Sequence, residues 1–126
     1  MICPFCERIA ARDVTDQNEL AAAFPDGYPL CDGHTLVVPL RHEPDFFSLT
    51  VPEQEAILSL ARVVQERIGK AGSVDGFNIG INVGEAAGQT VDHAHVHVIP
   101  RRAGDVEDPR GGVRWVIPDR AAYWKD

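Results

Sequence analysis

His93-Ala94-His95-Val96-His97 sets three of the chain's five histidines at a strict spacing of two. In an extended strand, alternate side chains share a face, about 6.6–6.8 Å apart per pair of residues. The three imidazoles are therefore expected on one face, with Ala94, Val96 and Val98 turned the other way into a core. Imidazole changes charge near neutral pH and serves as nucleophile, proton donor or metal ligand. Two chemistries fit such a face: chelation of a catalytic metal with an open position, or one nucleophilic histidine oriented by its neighbours. The segment just before the strand, Gly84-Glu85-Ala86-Ala87-Gly88-Gln89-Thr90, bears on the choice. Glycine-exposed backbone N–H groups with an amide and a hydroxyl make a cradle for an anion such as a phosphoryl group.

A second cluster of reactive types lies at the other end of the chain, in Cys3-Pro4-Phe5-Cys6. The chain has three cysteines, an odd number, and no signal-peptide layout, so we expect a cytoplasmic protein. In a reducing compartment a Cys-x-x-Cys pair points to metal or redox chemistry rather than a structural disulfide. The third, Cys31, is expected to be a small packed residue. A formal net charge of −7 argues against binding a nucleic-acid backbone. An anionic ligand would have to be met locally, with Arg41, Arg101 and Arg102 as candidates. No apolar run approaches a membrane span.

The elements that position these residues follow from the turn and capping signals. At 126 residues, with 44% hydrophobic and 25% charged residues, we expect one globular domain over 1–126. Residues 1–11 suggest a short N-terminal helix. Asn18 to Phe24 fits helix or strand and ends at the turn Pro25-Asp26-Gly27. Cys31-Asp32-Gly33 then leads into His34-Thr35-Leu36-Val37-Val38-Pro39, a strand by its β-branched content, antiparallel to the preceding segment. Thr50-Val51-Pro52-Glu53 is a capping box that opens one long helix. Ile57, Leu60, Ala61, Val64 and Ile68 give that helix a single apolar face, and Gly69 and Gly72 are expected to end it. Arg62, Gln65, Glu66 and Lys70 belong to its solvated side. Phe77 to Val83 forms a hairpin with the histidine strand, and Gly111 to Pro118 is expected as a late short strand. The expected fold class is α+β: an antiparallel sheet of about five strands, with one long helix and a short N-terminal one.

The run from Ala87 to Arg101 resembles the signature of the histidine triad (HIT) nucleotide hydrolases and transferases. Pro25-Asp26-Gly27, Gly33 to Pro39 and Asn82-Val83-Gly84 fall in the family's order. Residues 100–105 are similar to the Fhit-like branch, which cleaves dinucleoside polyphosphates, whereas the cysteine pair and small size are similar to Hint-like proteins, which favour phosphoramidates. The resemblance implies attack by His95 on an α-phosphorus, a nucleotidyl-histidine intermediate, and release of a nucleoside monophosphate by water. It assigns His97 to a phosphate oxygen or the leaving group and His34 to support behind the triad. Gly88, Gln89 and Thr90 are assigned to phosphate oxygens, Asn82 to a phosphate-side amide, and Asp26 to the ribose hydroxyls. It also implies structural zinc held by Cys3, Cys6, His42 and the first triad residue, His93, with no catalytic cofactor. A homodimer is implied too, supported by Trp115 and Trp124 as large residues hard to cover in a small domain. Neither nucleic acid nor membrane is an expected partner. The other readings are a nucleotide-binding scaffold with little turnover, and a metal-dependent hydrolase using the histidine face as ligands.

Overall fold

The computed structural model describes residues 2–125. Helix α1 (Pro4–Ala10) is followed by β1 (Asp16–Gln17), β2 (Ala21–Pro25), β3 (Thr35–Pro39), α2 (Val51–Ala71), β4 (Gly76–Ile81), β5 (Val96–Arg101) and the short α3 (Pro118–Ala121). The five strands form one sheet in the order β1-β2-β3-β5-β4, with every neighbouring pair antiparallel. This is the expected α+β class.

The ambiguous segment after Asn18 is strand, because Asn18 spends its side chain on the turn before it. Its Oδ1 accepts from the N–H groups of Leu20 and Ala21, at 3.1 and 2.8 Å. The period of two then sorts the sheet into two faces. Ala21, Ala23, Val37, Val96 and Val98 face α2 and pack with Ile57, Leu60, Ala61, Val64 and Ile68, the helix face expected from spacing. Ala22, Phe24, Leu36 and Val38 face the other way and pack with Phe5 of α1. The histidines lie on this second side.

The capping box is present: Thr50 Oγ1 accepts the Glu53 N–H at 3.2 Å, and Glu53 Oε1 accepts the Thr50 N–H at 2.9 Å. Helix α2 runs through Gly69 and stops at Ala71, with Gly72 extended at φ −157°. One helical glycine costs only about 1 kcal/mol relative to alanine, too little to end a helix whose apolar face continues to Ile68.

Two expectations are corrected. Strand β5 begins at Val96, so His93, at a bend, and His95 both precede it. The cause is local: the His93 carbonyl accepts the side chain of His95 at 2.9 Å. Alternation survives nonetheless, since Ala94 and Val96 are fully packed toward α2. Secondly, Gly111 to Pro118 is no strand. Gly112–Val116 is a 3-10 turn and Pro118 opens α3. Gly111 and Gly112 sit at φ +94° and +48°, and turn the chain where a strand would have to extend.

Candidate active site

His34, His93 and His95 each have one ring nitrogen hydrogen-bonded to the backbone, and that bond fixes where the proton sits. His93 is buried, and its Nε2 donates to the carbonyl of Pro39 at 2.8 Å. A carbonyl only accepts, so Nε2 carries the hydrogen and Nδ1 is bare. His95 donates from Nδ1 to the His93 carbonyl, which leaves its Nε2 bare. That Nε2 makes no hydrogen bond among the described residues. The Phe5 ring stands edge-on to His95, with centroids 5.1 Å apart, and the ring of His97 lies 5.1 Å away on another side. His97 Nδ1 lies 3.0 Å from His34 Nε2. His34 Nδ1 in turn accepts the backbone N–H of Leu30 at 3.0 Å. Burial pushes the His34, His93 and His97 rings below the ordinary histidine range, partly opposed at His34 and His97 by the charge of Asp26. The three triad rings turn their free nitrogens to different surroundings, so they do not converge as a chelating set.

Asp26 is placed behind the histidines. Its Oδ1 accepts the Tyr28 N–H at 2.8 Å, while Oδ2 lies 3.3 Å from His34 Nε2 and 3.9 Å from His97 Nδ1. Gln89 is drawn into its own loop. Its Oε1 accepts the Gly84 N–H at 2.9 Å, and its Nε2 donates to the carbonyls of Pro44 and Val91. Gln89 therefore braces the loop, and Gly88, at φ +93°, turns the backbone there. Thr90 is exposed and Asn82 half-buried, and neither side chain makes a hydrogen bond among the described residues. A cleft of about 240 Å³ beside this loop is lined by Asp45, Glu85 and Asp92 and touches none of the histidines. Its carboxylates suit a phosphate poorly.

The arginines expected to meet an anion are all engaged elsewhere. Arg41 forks onto Glu53 at 2.8 and 3.1 Å, Arg101 binds Asp105 and Asn78, and Arg102 donates to the Asp32 carbonyl. Cys31 is half-buried, its thiol donating to the Pro100 carbonyl at 3.2 Å.

At the N-terminus, Cys3 Sγ, Cys6 Sγ, His42 Nδ1 and His93 Nδ1 all lie within 4.8 Å of one another. The sulfur–nitrogen separations are 3.5 Å (Cys3–His93), 3.4 Å (Cys6–His42) and 3.5 Å (Cys6–His93). Tetrahedral zinc with ordinary Zn–S and Zn–N bonds requires about 3.5 Å for that edge. The bare Nδ1 of His93 is the correct tautomer for a ligand. The four residues fit the metal in both chemistry and spacing.

Several contributors are invisible to side-chain pattern: the Leu30 amide, the Pro39 carbonyl, and the Glu43 carbonyl that receives the Ala94 N–H at 2.7 Å. Phe5 lay in plain sight between the cysteines, but its contact with two imidazoles needs the fold.

The HIT domain model matches residues 8–104. An uncharacterized HIT-like protein of Mycoplasma genitalium is 38% identical over 103 residues, 79% of this chain and 72% of that protein. The asymmetrical bis(5′-nucleosyl)-tetraphosphatase of Schizosaccharomyces pombe is 42% identical over 92 residues, 73% of this chain and 50% of that longer protein. A crystal structure of a HIT family protein from Bacillus anthracis superposes with a TM-score of 0.74 at 38% identity, covering 79% of this chain and 73% of that one. The chain belongs to the HIT domain family, whose members include proteins named as nucleotide hydrolases. Among the described residues, no helix is long and apolar enough to cross a membrane.

Proposed function

We propose that this chain hydrolyses nucleotides at the α-phosphate, with His95 as nucleophile and a nucleotidyl-His95 intermediate. The observation that carries the reading is the hydrogen bond from His95 Nδ1 to the His93 carbonyl at 2.9 Å, which leaves Nε2 bare and open to a substrate. The carbonyl also steadies the positive charge the ring gains when Nε2 bonds phosphorus. His97 presents a donor to a phosphate or leaving-group oxygen, with His34 behind it. The backbone at Gly88 and the side chains of Thr90 and Asn82 serve nonbridging oxygens, and Gln89 holds the loop that carries them. Asp26 serves the ribose hydroxyls with the lone pairs that Tyr28 and His34 leave free. Substrates are dinucleoside polyphosphates or nucleoside phosphoramidates; the tetraphosphatase name of the yeast relative supports the nucleotide class.

Cys3, Cys6, His42 and His93 hold zinc in this reading. With four protein ligands such a site is closed, and its contribution is structural: it fixes His93 and thereby the carbonyl beneath His95. We also propose a homodimer. The outer edge of β4 pairs with no strand among the described residues, and Ile79, Trp115 and Val116 lie exposed. Trp124 contributes less than expected, being half-buried beneath Arg110 at 4.7 Å.

The test is His95→Ala. Turnover is expected to fall by at least about three orders of magnitude while the fold and nucleotide affinity persist. Quenching wild type with labelled substrate should place the label on His95. A variant retaining a few per cent of the rate, or label on another residue, removes the assignment.

A further inference from the structure

We propose that Arg41 is a positioning residue for the nucleophile: it fastens the loop whose Glu43 carbonyl grips the far end of the peptide that orients His95. The inference rests on the covalent reading above and starts from one peptide unit. The His93–Ala94 peptide presents its oxygen to His95 Nδ1 at 2.9 Å and its N–H to the Glu43 carbonyl at 2.7 Å. The two bonds lie end to end through one conjugated amide, so each strengthens the other. Donating to Glu43 leaves the His93 oxygen richer in electrons and a better acceptor for His95. It also stops the peptide from swinging, and a carbonyl that turns carries the His95 ring with it.

Glu43 lies in residues 42–45, between β3 and the 3-10 turn at Phe46–Ser48, where no strand or helix fixes the backbone. Its side chain does so instead. Glu43 Oε2 accepts the Asp45 N–H at 3.1 Å, which folds the loop on itself, and Oε1 faces Arg41 Nη1 at 3.5 Å. An exposed ion pair alone holds little. Arg41, however, is not free to swing. Its Nε and Nη2 fork onto both oxygens of Glu53, which is buried in the capping box of α2. That fork sets the guanidinium plane and leaves Nη1 to Glu43. The next residue extends the grip, since the Pro44 carbonyl accepts Gln89 Nε2 at 2.8 Å. One guanidinium thus anchors to α2 a loop that holds the catalytic segment at both Gln89 and Ala94.

The contribution falls on the step that forms the intermediate. The His95 Nε2 lone pair bonds phosphorus, and the leaving oxygen takes the electron pair of the bond it loses. The ring keeps Nδ1–H and becomes a cation. The His93 oxygen meets more positive charge there than in the resting protein, so strengthening it lowers the barrier more than it tightens binding. Loss of Arg41 should therefore appear in the rate of the covalent step rather than in affinity.

The experiment compares wild type with Arg41→Gln, Glu43→Ala and the double variant. Arg67→Gln is the control. Arg67 makes a similar fork, 47% exposed against 48% for Arg41, but onto Asp16, away from the loop and the histidines. Formation of labelled His95 from adenosine 5′-p-nitrophenyl phosphate in a single turnover should slow about tenfold or more in Arg41→Gln, with AMP affinity within about twofold. Glu43→Ala should slow it too, and the double variant no further than the slower single one, because both break one bridge. In the same variants the Ala94 amide should exchange with solvent faster, and the His95 Nδ1–H resonance should move upfield as its hydrogen bond weakens. Arg67→Gln should lose a comparable melting temperature with none of these changes. Unaltered His95 and Ala94 resonances in Arg41→Gln, a rate that falls equally in Arg67→Gln, or additive losses in the double variant overturn the inference and leave the covalent reading intact. Absence of label from wild type overturns the covalent reading, and the resonances then decide the inference alone.

Discussion

At the scale of residues, the histidine spacing exposed which side chains share a face, because period two is written in side-chain identity. That a nucleophilic His95 should give its second nitrogen to a backbone carbonyl follows from its role, but which backbone group each imidazole meets was not legible. That is decided by the carbonyls of His93 and Pro39 and the amide of Leu30, which every residue type possesses equally. One prediction belongs here. His34 and His97 are held by burial below their ordinary value of 6.5. The unfolded chain therefore binds protons at these residues that the native state refuses, and stability is complete above that pH and lost as pH falls through it. Melting temperature should drop between about pH 7.5 and pH 5.5, and less steeply in His34→Gln. Equal slopes in the two proteins would show that these rings are not the source.

At the scale of elements, α2 was legible almost to the residue, since cap, proline and apolar face all agree. The late strand was misread because Val113, Trp115, Val116 and Ile117 have strand-forming side chains, whereas two left-handed glycines decide the backbone. The capping box concealed a second function: Glu53 also receives the fork of Arg41, which ties the start of α2 to the end of β3. Those bonds hold its carboxyl down at about 2, against an ordinary 4.5. The stability it lends is therefore present above pH 4.5 and lost as pH falls toward 2. Glu53→Gln should cost about 1–2 kcal/mol at neutral pH and remove that part of the acid sensitivity. Urea titrations at neutral and acid pH measure both, and an unchanged midpoint at neutral pH would contradict it.

At the scale of the whole molecule, zinc and dimerisation make separate predictions. Protein purified without added metal should hold about one zinc per chain, and Cys6→Ser should release it and lower the melting temperature without unfolding the domain, which keeps its own core. Activity should fall less than in His95→Ala. Less than about a tenth of an equivalent in wild type would assign the cysteines another role. For the dimer, Ile79→Lys on the open edge strand should shift light-scattering mass from two chains to one at micromolar concentration. A monomeric wild type refutes the pairing.

His93 donates to Pro39 of β3, turns its bare nitrogen to Cys3 and Cys6, and lends its carbonyl to His95. One residue thus closes three loops of chain at a single point. The consequence is epistasis. Cys6→Ser and His93→Gln both break the same joint, so their combined cost should fall well short of the sum of the single costs. In a mutational scan, positions 3, 6, 42 and 93 would then behave as a single locus, although 90 residues separate the first from the last.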